Sequence, residues 1–295
     1  MRFRQARTGG TTRSGRAFRG PRQVMLMSGA AAAAGLLAAG CSSNATPAHQ
    51  ASGSSTPLQA ITLAARQARQ VTSFTSTLSV RMTGTPNATL AGTLVMRTTP
   101  SLYENAHFTK LTAEGQNVPG GMQEIATSRV LYIRMAELQR ALGRPWASLP
   151  YSELQKSTGV NLGQLTQQVQ GNDPMMDTQM LAGAKNIKKA GTATIDGVAT
   201  TGYTGSFPVS AGLAKLPASL RSAEQTRLGK AGIQTVDFTA WVDARHQMRK
   251  ITVTEHGSSM TTTATMQITS INRPVTAVVP PASQVAAIPA GALNG

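Results

Sequence analysis

The side chains able to do chemistry are few: one cysteine, four histidines and thirteen methionines in a chain of 295 residues. A lone cysteine can form no internal disulfide, and no Cys/His spacing here suits a metal. Cys41 could still be a nucleophile, a redox group or a point of acylation, and its surroundings choose among these. Arg2, Arg4, Arg7, Arg13, Arg16, Arg19 and Arg22 precede a short apolar run, Val24 to Ala39, which passes through Gly40 directly into Cys41. A charged segment, a short apolar segment and small residues in that order read as an export signal. The run is too short and too alanine-rich to make a good spanning helix.

Other chemistry is poorly served. His49 lies in a polar stretch, and His107, His246 and His256 are far apart, at positions expected to be exposed. No Gly-x-Ser-x-Gly, Ser-x-x-Lys, His-Glu-x-x-His or P-loop pattern occurs. Asp173 and Asp177 flank Pro174 and read as helix caps rather than an acid/base pair. Met175, Met176 and Met180 would suit a soft Cu(I) site, but no His or Cys stands near them in sequence. The expectation is no enzyme, no cofactor and no metal. Methionine is flexible and polarizable, so Met82, Met96, Met175 and Met180 either line an adaptable apolar site or fill gaps in a core.

The net charge is +16, with 28 basic residues against 12 acidic ones. Seven of the basic residues lie ahead of Cys41, leaving 21 against 12 beyond it, an excess of nine. Those are scattered, with Lys188-Lys189 and Arg249-Lys250 the densest pairs. Without a basic stripe interleaved with aromatics, nucleic acid is not an expected partner. A diffuse charge suits weak attraction to an anionic membrane or wall polymer.

Leu37-Ala38-Ala39-Gly40-Cys41 resembles a bacterial lipobox, in which the cysteine is acylated and becomes the new N-terminus. The leucine usual three places before the cysteine is Ala38 here, with Leu37 one place further out. The reading is therefore a lipoprotein signal peptide over 1–40, lipid attachment at Cys41, and a Ser/Ala/Thr/Gly/Pro tether over 41–56. The protein is expected on the extracytoplasmic face of the cell membrane. The membrane is its partner through the lipid, whose buried CH₂ groups contribute about 0.8 kcal/mol each.

The elements that must position anything further lie over 57–272. Pro57, Leu58, Ile61, Ala64, Ala65 and Ala68 give a short amphipathic helix with proline at its start. Phe74, Ser76, Leu78, Val80 and Met82 then alternate with polar residues, the period of a half-buried strand. Leu90, Leu94 and Met96 line a second strand, Leu102–Thr112 form a third, Gln123–Thr127 a fourth and Val130–Arg134 a fifth. In the fifth, either Leu131 and Ile133 or Val130 and Tyr132 face inward. Helical spacing follows over Ala136–Leu142, Tyr151–Lys156, Leu162–Val169 and Pro174–Ala184, with Pro145-Trp146 in a loop between the first two. Trp146 reads either as a cavity-mouth or membrane-interface residue or as a lid on the core. Strands return over Thr192–Ile195 and Thr200–Phe207, a helix over Leu216–Ala231, and strands to Ile271. The prolines after Arg273 predict a Pro/Ala-rich tail over 273–295 without regular pattern. The order implies an α+β domain with a large antiparallel sheet and helices on one face.

Several segments in sequence carry a likeness to a known group: Val71-Thr72-Ser73-Phe74, Tyr132-Ile133 before Pro145-Trp146, Gly191 to Ala199 running into Tyr203, and Trp241-Val242-Asp243 before Arg249-Lys250-Ile251. Together with the acylated cysteine and tether they resemble actinobacterial cell-envelope lipoproteins related to mycobacterial lipid carriers, in the LolA/LolB-like group. That resemblance implies a curved half-barrel sheet with helices on its concave face and an apolar cavity between them. It implies an acyl lipid or glycolipid as ligand, carried or presented. The cavity candidates are Phe74, Leu78, Met82, Leu94, Met96, Phe108, Leu131, Ile133, Met175 and Met180. The alternative is a filled α+β module that binds a protein partner in the envelope without catalysis.

Overall fold

In the computed structural model, residues 55–153 and 175–288 are described. The elements in chain order are α1 (Pro57–Ala68), β1 (Ser73–Gly84), β2 (Ala88–Arg97), β3 (Tyr103–Ala113), β4 (Gln116–Asn117), β5 (Met122–Thr127), β6 (Val130–Arg134), α2 (Ala136–Leu142) and β7 (Trp146–Pro150). Then come α3 (Met175–Leu181), β8 (Lys188–Ile195), β9 (Val198–Pro208), α4 (Val209–Leu213), α5 (Ala218–Ala231), β10 (Thr235–Asp243), β11 (Met248–His256), β12 (Met260–Ile271) and β13 (Val285–Ala287). The predicted helices at Leu162–Val169 and around Lys156 lie outside the described residues.

The strands form one open sheet in the order β13-β7-β6-β5-β3-β2-β1-β12-β11-β10-β9-β8, with β4 on β3. The molecule is the expected α+β half-barrel, antiparallel except where β13 joins β7 in parallel. The meander explains the sheet's two halves: short turns join most neighbours, and β1 pairs with β12 to unite the early and late strands. Residues directly opposite across a ladder share a face. Thus Phe74, Leu78 and Val80 of β1 share the inner face with Leu90, Leu94 and Met96 of β2 and with Ala106 and Phe108 of β3.

Helices cover this inner face. Thr56 caps α1 reciprocally with Gln59, its hydroxyl accepting from the Gln59 amide and its own amide donating to the Gln59 side chain, an arrangement that contributes about 1 kcal/mol. Pro57 fits the first turn, where no amide is needed. The buried side of α1 is Ala60, Ile61, Ala64, Ala65 and Ala68. Small alanines let the helix approach closely, and Ile61 fully buried contributes about 2 kcal/mol. Helix α5 is mostly polar; it is held by Leu228 in the core and by Arg227, which donates to Glu224 at 2.6 Å and to Glu255 of β11 at 2.7 Å. Burial alone would lower the pKa of Arg227, but its bonds to Glu224 and Glu255 raise it, so the guanidinium stays charged. No helix among the described residues is long and apolar enough to cross a membrane.

Two expectations need correction. Trp146 is not in a loop: it opens β7, which pairs with β6. It is neither at a cavity mouth nor over the main core, because its strand position turns it to the outer face, where it joins Tyr103 and Ile125 in a second buried cluster. The tail after Arg273 is not without pattern. It straps across that outer cluster, contributes Val275 and Val285 to it, and ends as β13 beside β7. Arg97 Nη1 donates to the Val275 carbonyl at 2.9 Å, the Tyr103 hydroxyl to Val278 O at 3.2 Å, and Arg144 Nη1 to Ser283 O at 2.7 Å. Prolines suit such a strap, since few of its amides have a ladder to join.

Candidate functional site

Cys41 lies outside the described residues, so lipid attachment is not visible in the fold. Phe74, Leu78, Met82, Leu94, Met96 and Phe108 of the strands and Met180 of α3 all fall in one core cluster. Phe108, Met96 and Met180 are among the largest fully buried side chains. Met175 is the first residue of α3. Leu131 and Ile133 differ from the rest: they are only half-buried. Of the two orientations open for β6, the ladder selects this one. Ile133 stands opposite Glu124, which stands opposite Ala106 of the core, whereas Tyr132 stands opposite Ile125 of the outer cluster.

The inner face therefore extends past that core cluster onto β3, β5, β6 and β7, where Ala126, Ala147 and Leu149 are buried while Leu131 and Ile133 are half-buried. Two cross-strand rows describe it. One runs Met96, Glu104, Ala126, Leu131, Leu149, and the next runs Leu94, Ala106, Glu124, Ile133, Ala147. Two carboxylates, Glu104 and Glu124, thus sit on adjacent rows of adjacent strands among apolar side chains. Tyr151, just after β7, is buried, and its hydroxyl has no hydrogen-bond partner.

The electrostatics follow from this placement. Burial pushes the Glu124 carboxyl up to about 7, although part of the residue remains at the surface. The Tyr151 phenol is pushed well above its usual range, first by burial and then by the negative charges of Glu124 and Glu104. Its hydroxyl thus stays protonated and lies within the field of both carboxyls. A protonated phenol beside a carboxyl that titrates near neutrality can accept and donate hydrogen bonds without proton transfer to substrate. Among the described residues, no group of three or more His, Cys, Asp or Glu is placed to hold a metal ion.

Sequence reasoning did not single out Glu104, Glu124 or Tyr151. A signal existed: in Gln123–Thr127, Glu124 shares its parity with Ala126, so one charge falls on an otherwise apolar face. The histidines do other things. His107 is exposed, His246 adopts a positive φ in the β10–β11 turn, and His256 approaches Asp237 at 3.2 Å on the surface.

No family model matches the sequence. An uncharacterized 31.2 kDa protein encoded between rplA and rplJ in Streptomyces griseus is 29% identical over 122 residues, which is 40% of this chain. The match spans 39% of that relative's length. Among solved structures, the lipoprotein LppX of Mycobacterium tuberculosis aligns over 75% of this chain and 98% of its own, at 18% identity and a TM-score of 0.43. LprF of Mycobacterium bovis aligns over 76% of this chain and 96% of its own, at 13% identity and a TM-score of 0.45.

Proposed function

We propose that this protein is a lipid-anchored envelope carrier that binds an apolar ligand, of the acyl lipid or glycolipid class, against the inner face of its half-barrel. The observation that carries the reading is the unevenly covered inner face. Six of the ten candidate residues lie on strands in the buried core with Met180 of α3 in the same cluster, while Leu131 and Ile133 are half-buried. Apolar ligands bind such concave surfaces by burial, with a few polar groups fixing orientation. No covalent chemistry is needed, and none of the nucleophile or metal patterns of hydrolases is present in the sequence. Acylation of Cys41 holds the domain on the outer face of the cell membrane, within a tether's length of its cargo.

The test is mass spectrometry of organic extracts from the full-length protein purified from membranes. Co-purified lipid in stoichiometric amount is expected, and Leu131→Glu combined with Ile133→Glu removes it. Cys41→Ser moves the protein from the membrane to the soluble fraction. Extracts free of lipid from several preparations would sink the carrier reading.

One observation favours a second reading. Phe108, Phe207, Met96, Met180 and Met266 are all fully buried, the packing expected of a module that recognises a protein partner in the envelope. Crosslinking in native membranes then recovers one dominant protein, and lipid is absent from the extracts.

A further inference from the structure

We propose that Glu124 and the Tyr151 hydroxyl form a polar receptor for the hydrogen-bond-donating head group of an otherwise apolar ligand. The inference rests on the carrier reading above and names the chemistry of its cargo.

Three observations converge. First, Glu124 occupies an inner-face position whose ladder neighbours are Ala106 and Ile133, with Ala126 and Ala147 close on the same face. Only Ala106 and Ala126 are small among its nearest same-face neighbours, which also include Met122 and Ile133. Second, the Tyr151 hydroxyl is buried and satisfied by no group of the protein. A buried polar atom without a partner costs roughly 1–3 kcal/mol, so it calls for a ligand atom to complete it. Third, Glu124 makes no salt bridge among the described residues. Three other poorly exposed acids do: Glu224 and Glu255 clasp Arg227, and Asp243 clasps Arg249 at 2.8 Å. Glu104, one row away, already has a partner and adds negative potential rather than a free acceptor.

The chemistry selects the ligand group. A carboxylate accepts only, and a phenol can both accept and donate. Together they suit a group that donates to Glu124 and exchanges a hydrogen bond with Tyr151. Hydroxyls of a sugar or polyol head group do this, and so does an ammonium. A phosphate or carboxylate head group is disfavoured by Glu104 and Glu124. The half-buried Leu131 and Ile133 beside the receptor take the start of the acyl chain, so the head group is held at the sheet and the chain lies along its inner face.

The experiment compares three probes with the same twelve-carbon chain on the full-length protein: dodecyl maltoside, dodecylamine and methyl laurate. At about pH 8.5, where Glu124 is ionised, and below any micelle concentration, binding is read by native mass spectrometry and calorimetry. Dodecyl maltoside or dodecylamine is expected to bind about tenfold tighter than methyl laurate, the range of one hydrogen bond to a charged acceptor. Glu124→Gln and Tyr151→Phe should each remove most of that preference and leave methyl laurate unchanged; both are near-isosteric, and circular dichroism confirms their folding. Loss of maltoside binding alone assigns hydroxyl recognition, and loss of amine binding alone assigns ammonium recognition. If all three probes bind equally, or if both variants keep the preference, the receptor is overturned and the carrier reading stands. If no probe binds, the carrier reading falls and the receptor with it.

Discussion

The Trp241 ring lies over Gly202, its partner across the β9–β10 ladder, so closely that a Cβ on Gly202 would stand 2.8 Å from a ring carbon. The glycine gives the indole a seat on the outer face of the sheet. Gly202→Ala is therefore expected to displace the ring and cost about 1–3 kcal/mol. Tryptophan emission checks it: the Trp241 component shifts to the red, while that of Trp146, buried in the outer cluster, does not move.

The strap on the outer face hangs on Arg97 and Tyr103. These residues are opposed on β2 and β3, and the guanidinium lies 5.9 Å from the ring centroid. Tyr103→Phe removes one bond to the strap and should cost about 1 kcal/mol. Arg97→Ala also removes the ring contact and the bond to Val275. Limited proteolysis should then cut within 273–288 several-fold faster, with the rest of the domain intact.

Arg227 joins α5 to the sheet. Replacing it with Met leaves Glu224 and Glu255, both poorly exposed, without their cation. A fully buried pair broken this way costs about 3–5 kcal/mol. Since the Arg227 side chain keeps 34% of its exposure, a loss of about 2 kcal/mol is expected, read by urea denaturation. Replacing Glu224 with Gln and Arg227 with Met together should restore part of it.

Glu124 makes stability depend on pH. Its unfolded value is 4.5 and its folded value about 7. The folded state therefore holds an extra proton between these values, and the contribution, on the order of 2–3 kcal/mol, is full below about pH 4.5 and lost as pH rises through about 7. Urea midpoints measured from pH 5 to pH 8 should fall, and Glu124→Gln should flatten that fall. An equal slope in the variant would refute the assignment.

Much of the fold was legible because one face of each strand is wet. Leu78 and Val80 alternate with Thr77, Ser79 and Arg81 so cleanly that β1 could be placed to within a residue. The signal failed where both faces are dry. In Trp146–Pro150 the outer face is covered by the strap and the inward Ala147 and Leu149 are buried as well, so alternation vanished and β7 read as loop. β13 is three residues long and owes its strand form to β7 rather than to its own pattern. The apolar candidates were readable one by one, since each sits on an alternating strand. That Tyr151 lies within the field of Glu124 was not, because it depends on how β5, β6 and β7 lie side by side.

The two borders of the sheet are guarded in different ways. At β8, Lys188 and Lys189 are exposed and repel a second sheet. At β7 the guard is β13, held nearby by a contact that spans 139 positions, from Arg144 to Ser283. During synthesis, β7 exists long before its cover does. Until Val285–Ala287 arrive, the nascent chain carries an unpaired strand able to zip onto a neighbour. A holdase, or slow folding delayed until the last residues emerge, would keep newly made molecules from aggregating there.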